Sequence, residues 1–160
     1  MEYSALLVRL NLFLSLEVLQ ASLYKRNLNV VKGDEHWEHA LLTFLETENQ
    51  HIENIKNAIK ELGGKPHHGL DIATSVFGTT SAEIAKAVGL EKVISYGIWV
   101  EQKAVEMYQG LVLQLDTDEY HNIVKMLGVM TVRVRLVNFL DQVSQIRHQP
   151  FVCSHPFNCF

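Results

Sequence analysis

The sequence contains few of the residues that interrupt helices or form disulfide frameworks. Its 160 residues include three prolines and two cysteines. The prolines are Pro66, Pro150 and Pro156. Residues 1–65 and 67–149 therefore contain no obligatory helix breaker, and the chain is long enough to bury a core without crosslinks. Cys153 and Cys159 lie near the C-terminal end and are too few for a disulfide framework, so we expect a reduced, cytoplasmic setting.

Clusters of basic residues are also missing. Lys and Arg total 14 against 18 Asp and Glu, which gives a net charge of -4. Nucleic acid and anionic membrane surfaces are bound through clustered Lys and Arg, so we expect neither as a partner. The apolar segment 1–23 is interrupted by Arg9 and Glu17 and has no basic start followed by a cleavage site. We therefore predict neither a signal peptide nor a membrane span.

Apolar residues recur at steps of three and four along four long stretches, and no strand-like alternation competes with them. The predicted helices are residues 2–29, 35–62, 90–115 and 118–146, with Asp34 as the N-cap of the second. The first and third links are short. The middle link, 65–89, is long and carries a capping box at 80–83 that predicts a short extra helix. This order predicts an all-α, antiparallel four-helix bundle with one long crossover over residues 1–146, followed by a tail, 147–160.

Three glutamates interrupt the predicted apolar faces. Glu17, Glu48 and Glu101 each lie near the midpoint of a helix, and His51 follows Glu48 by one turn. Ionised carboxylates are rarely buried without compensation. Because the midpoints of antiparallel helices face one another, we expect these side chains to meet in the core. A divalent cation would compensate their charge, and carboxylate oxygen with imidazole nitrogen suits iron, manganese or zinc.

With these residues the sequence resembles the ferritin-like superfamily, which includes rubrerythrin, bacterioferritin and the ubiquinone-pathway hydroxylases. The resemblance covers roughly residues 5–146. In that family, a Glu from each of two helices and a Glu-x-x-His from each of the other two hold two metal ions. The resemblance implies that Glu17, Glu48, His51 and Glu101 are metal ligands and that the protein forms a homodimer.

The fourth helix departs from the family pattern. The step that separates the first two glutamates, repeated from Glu101, lands at Val132, with Thr131 on the predicted inward face. Neither side chain is a metal ligand of the family. Asp118 and His121 lie more than two turns from the required depth and are expected to be first-turn residues favoured by the helix dipole. We therefore predict one iron or manganese ion rather than two, and the sequence assigns no catalytic residue and no substrate.

Two functions are compatible with this pattern. The first is a ferritin-like metal-binding protein with a partial site, whose chemistry, if it is an enzyme, would be redox chemistry toward oxygen or peroxide. The second is a non-catalytic bundle without metal, in which Arg133 or Arg135 pairs with the core glutamates and the protein acts in assembly or partner binding. In either case Tyr24 and Tyr108 share the ligand face and are expected to find hydrogen-bonding partners there.

Overall fold

The computed structural model describes residues 2–29, 31–67 and 99–131. These ranges contain four helical segments and no strand. The segments are α1 (Tyr3–Leu28), α2 (Glu35–Glu61), α3 (residues 99–112) and α4 (His121–Met130). The all-α prediction is therefore confirmed. The short helix predicted from 80–83, the domain boundary after residue 146 and the tail lie outside the described residues.

A short turn joins α1 to α2. Gly33 adopts a φ of 93°, a left-handed conformation that favours glycine. The side chain of Asp34 then accepts a hydrogen bond from the backbone N–H of Trp37 at 3.3 Å. This satisfies one of the amides that would otherwise lack a partner at the start of a helix. Asp34 is thus the N-cap of α2, as the sequence predicts.

The C-terminal end of α2 is closed by two glycines. The N–H of Gly63 donates to the carbonyl of Lys60 at 2.8 Å, and that of Gly64 donates to the carbonyl of Ile59 at 2.9 Å. Gly63 has a φ of 68°. This pair of bonds with a left-handed residue is a Schellman motif, which ends the helix and satisfies two of its last carbonyls.

Two glycines, Gly63 after α2 and Gly128 within α4, give opposite predictions for replacement by alanine. Gly63→Ala should lower the free energy of unfolding by about 1 to 2 kcal/mol, because a side chain disfavours the left-handed conformation. Gly128→Ala lies within α4, where an added Cβ meets nothing within 4 Å, and should raise stability by about 0.5 to 1 kcal/mol. Urea unfolding of the two variants measures both values. Equal effects would contradict the cap at Gly63.

Side-chain contacts fix the direction of α3 relative to α1. Tyr24, late in α1, contacts Glu101, early in α3, whereas Phe13 and Glu17 contact Tyr108 farther along α3. The two helices therefore run antiparallel. Since α2 is also antiparallel to α1, α2 and α3 are parallel to each other, which is the arrangement that a single crossover between two hairpins requires. This confirms the predicted four-helix bundle.

The core consists of two clusters of buried apolar side chains. The smaller cluster lies where α1 ends and α2 begins, and comprises Tyr24, Val31, Trp37, Ala40, Leu41 and Phe44. The larger draws on all four helical segments and includes Leu10, Ile55, Tyr108 and Leu127, each with no exposed surface. The predicted inward face of α1, at steps of three and four, is confirmed, since all of its residues are buried: Leu6, Leu10, Phe13, Leu14, Glu17, Ala21 and Tyr24.

α1 is the one helix in the described ranges long and apolar enough to cross a membrane by length and composition alone. More than half of its most apolar window, 56 %, is buried within the molecule. Its buried residues include the polar side chains of Glu17 and Gln20. Core helices of soluble proteins pass the same test, so the predicted absence of a membrane partner stays a prediction.

The phase of α4 differs from the prediction at one position. Residues 113–120 form turns, so α4 begins at His121. Ile123, Leu127 and Met130 are buried, whereas Thr131 is partly exposed and its hydroxyl donates to the carbonyl of Gly128 at 2.7 Å. The prediction that Thr131 faces the core is therefore wrong. Steps of four and three from Ile123 bring Met130 inward and rotate Thr131 away.

Candidate metal centre

Glu17 and His51 face each other across the α1–α2 interface. Nδ1 of His51 lies 3.4 Å from Oε2 of Glu17. One ligand atom from each of Glu17, Glu48 and His51 can be chosen so that all lie within 4.8 Å of one another. Ligands bound to one ion at about 2.1 Å lie within roughly 4 Å of each other. Small side-chain movements would therefore bring these three atoms to one metal ion.

All three side chains are removed from solvent. The relative exposure is 0 % for Glu17, 1 % for Glu48 and 7 % for His51. Glu48 and His51 are one turn apart, so α2 presents both on the face that also carries Ile55. A carboxylate in such an environment is disfavoured in its ionised form unless a positive charge or hydrogen-bond donors compensate it.

Glu101 lies in the same core but has a different immediate neighbour. It is 5 % exposed, and its Oε1 accepts a hydrogen bond from the hydroxyl of Tyr24 at 2.7 Å. It is not a member of the group formed by Glu17, Glu48 and His51. The structure thus brings three of the four predicted ligands together and places the fourth beside a tyrosine of α1.

A second tyrosine completes a reciprocal arrangement between α1 and α3. The hydroxyl of Tyr108 donates a hydrogen bond to Oε1 of Glu17. Tyr24 follows Glu17 along α1 by the same step by which Tyr108 follows Glu101 along α3. Each tyrosine therefore donates to the glutamate of the other helix, which orients both carboxylates. The hydrogen-bonding role predicted for the two tyrosines is confirmed.

One buried polar residue of this region, Gln20, is not singled out by the sequence pattern. Gln20 is 2 % exposed and lies one turn after Glu17 on α1. Neither its Nε2 nor its Oε1 has a hydrogen-bond partner among the described residues. The sequence feature that could have identified Gln20 is its position between Glu17 and Tyr24 on the inward face of an apolar helix.

Other candidate ligands of the sequence are not in this region or lie outside the described residues. Asp118 and His121 are both exposed. His121 is the first residue of α4, whereas Asp118 lies in the turn before the helix, so its predicted first-turn position is wrong: α4 begins three residues later than the sequence pattern predicts. Arg133 and Arg135, the cations of the metal-free alternative, lie beyond the described residues, so their predicted pairing with the glutamates stays a prediction.

Two solved structures share this architecture. Ferritin-like, diiron-carboxylate proteins from Bacillus anthracis str. Ames match with a TM-score of 0.70 and 18 % identity, covering 91 % of this chain and 99 % of that chain. The dodecameric thioferritin from Bacteroides fragilis, described as a bacterioferritin-related protein, matches with a TM-score of 0.67 and 18 % identity, covering 92 % of this chain and 90 % of that one. The chain therefore has the ferritin-like fold.

The likeness is one of structure rather than of sequence. No protein-family model matches the sequence, and no curated protein does. At 18 % identity, the two matches establish the fold and leave the chemistry to the residues of this chain.

Proposed function

We propose that the protein is a ferritin-like metal-binding protein that holds one divalent iron or manganese ion between α1 and α2, with Glu17, Glu48 and His51 as its ligands. The observation that carries the proposal is the buried group of three donors whose ligand atoms lie within 4.8 Å of one another. A similar fold described as diiron-carboxylate in Bacillus anthracis str. Ames supports the choice of iron.

The charge of the group fits one divalent ion. Glu17 and Glu48 together carry two negative charges when ionised, and neutral His51 adds a nitrogen donor without adding charge. The ion and its two carboxylates would then form a neutral unit, which is the condition for burying ionised groups at low cost. Within the described ranges, Glu17, Glu48 and His51 form the one group of three potential ligands.

Glu101 would serve beside the ion rather than as a third negatively charged ligand. Its carboxylate accepts a hydrogen bond from the hydroxyl of Tyr24, so α1 contributes to its orientation. A carboxylate held in this way can exchange a proton with a group bound near the ion. Iron or manganese would supply one-electron chemistry, for which oxygen or peroxide is the proposed oxidant.

The competing function is a metal-free core in which Arg133 or Arg135 neutralises the glutamates. An arginine and an ion both supply positive charge, but an arginine leaves the stability of the protein independent of metal. Under this alternative Arg135→Met should be strongly destabilising, and the melting temperature should not respond to metal.

We also propose that the protein forms a homodimer, whichever of the two functions it has. The similar thioferritin from Bacteroides fragilis is dodecameric.

Metal content of the purified protein tests the proposal. Protein grown in iron-replete or manganese-replete medium and purified without added metal should contain roughly one equivalent of transition metal per chain. A Glu48→Ala, His51→Ala double variant purified alongside should contain little. Less than about a tenth of an equivalent in the parent protein, under both growth conditions, would contradict the proposal.

A further inference from the structure

Gln20 has a buried primary amide that forms no hydrogen bond with the described part of the chain. The side chain is 2 % exposed, and both of its polar atoms are buried without a hydrogen-bond partner among the described residues. Buried amides in native proteins are nearly always satisfied, because desolvating one without compensation is unfavourable. A buried amide next to a proposed ligand therefore points to a bound group that it contacts.

The spacing of the site residues places Gln20 in a specific position. α2 carries a glutamate followed one turn later by a neutral donor, Glu48 and His51. α1 carries the same spacing in Glu17 and Gln20. The two helices are antiparallel, and the observed contact joins Glu17 to His51. Because the helices are antiparallel and residue 17 faces residue 51, residue 20 of α1 lies level with residue 48 of α2, which brings the amide of Gln20 to the level of Glu48.

Gln20 is also chemically suited to this position. Its carbonyl oxygen is a neutral donor, and amide carbonyl oxygens are ligands of divalent ions such as manganese. Two ionised glutamates already balance the charge of one divalent ion. A neutral oxygen completes the coordination without adding negative charge, which a further glutamate would do.

We infer that Gln20 is a fourth protein ligand of the site, with Oε1 bound to the ion held by Glu17, Glu48 and His51. The inference rests on the proposed function. It assigns to α1 two donors, Glu17 and Gln20, which face the two donors of α2.

The test compares Gln20→Met with Gln20→Glu. Methionine has nearly the same length and lacks the amide, whereas glutamate keeps an oxygen at the same place. The affinity is measured by titrating the metal-free protein with Mn²⁺ alone and monitoring the loss of the electron paramagnetic resonance signal of the free ion. Gln20→Met should weaken Mn²⁺ binding by about 10- to 100-fold. Gln20→Glu should bind at least as tightly as the parent. The exposed Gln109, changed to Met, is the matched control and should have no effect.

The melting temperature of the metal-free variants separates a ligand from a structural residue. If Gln20 is a ligand, Gln20→Met removes an amide that the metal-free fold leaves unsatisfied, and the melting temperature should stay the same or rise. A lower metal-free melting temperature with unchanged Mn²⁺ affinity would overturn the inference and leave the proposed function standing. A parent protein that binds neither Mn²⁺ nor Fe²⁺ would overturn both.

Discussion

Replacing Glu48 and His51 together with glutamine should weaken the binding of Fe²⁺ or Mn²⁺ by at least about 100-fold, since even residues that only contact ligands contribute about 10- to 100-fold. The double variant removes one of the two negative charges and the only imidazole of the group while keeping polar side chains of similar size. Anaerobic calorimetric titration of the metal-free protein with each ion measures the loss of affinity.

A matched control uses the outer face of the same helix. Glu46 and His39 are residues of α2 outside the buried group, and the Glu46→Gln, His39→Gln double variant makes the same chemical change away from the core. It should bind metal like the parent. Equal losses in the two double variants would show that the affinity depends on the net charge of α2 rather than on the buried group.

The Glu48→Gln, His51→Gln variant should also lose the dependence of its thermal stability on metal. An ion present at about 100 times its dissociation constant stabilises the folded protein by about 2.7 kcal/mol. For a chain of this size that corresponds to a rise in melting temperature of roughly 5 to 11 °C. The parent and the Glu46→Gln, His39→Gln control should show this rise, and the Glu48→Gln, His51→Gln variant should not. A rise of the same size in all three proteins would contradict the site.

Tyr108→Phe should lower the free energy of unfolding by about 1.5 to 3 kcal/mol, the range for a hydrogen bond to a charged group. The ring would keep its edge-on packing against Phe13, whose centroid lies 4.6 Å away, so the loss reports the hydroxyl alone. Glu17 would be left buried without its phenol donor, which destabilises the ionised carboxylate. Urea unfolding of the metal-free protein measures the difference.

Two further variants isolate this hydrogen bond. Tyr3 is 47 % exposed at the start of α1, and Tyr3→Phe should change stability by less than about 0.5 kcal/mol. In a double-mutant cycle with Glu17→Gln, the effects of the two changes should not add, because they remove the same bond. Additive effects would contradict the assigned pairing of Tyr108 with Glu17.

The helices and caps can be predicted from the sequence because they depend on local pattern. The apolar repeat of α1 runs for many turns, so its predicted start and end lie within a residue of the observed bounds. Asp34 and the Gly63–Gly64 pair act on backbone atoms within a few residues of themselves, so they can be recognised directly. The start of α4 depends on the geometry of a turn, and it lies three residues after the predicted start at residue 118.

The candidate site is partly predictable for a similar reason. An acidic residue on an apolar stripe is conspicuous, and this feature singles out Glu17, Glu48 and Glu101 in the sequence alone. Which carboxylate neighbours which donor depends on how each helix rotates about its axis, and sequence periodicity does not fix that rotation closely enough. The pairing of Glu101 with Tyr24 is therefore visible only in three dimensions. Gln20 is inconspicuous in the sequence because a neutral amide on a helix carries no comparable anomaly.

Anomalous diffraction from crystals of the metal-loaded protein, recorded at the absorption edges of iron and manganese, would test the central claim most directly. We predict one peak per chain between α1 and α2, about 2.0 to 2.3 Å from carboxylate oxygens of Glu17 and Glu48 and from a nitrogen of His51. An arginine side chain between these residues, or a metal peak elsewhere with none at this position, would contradict the claim.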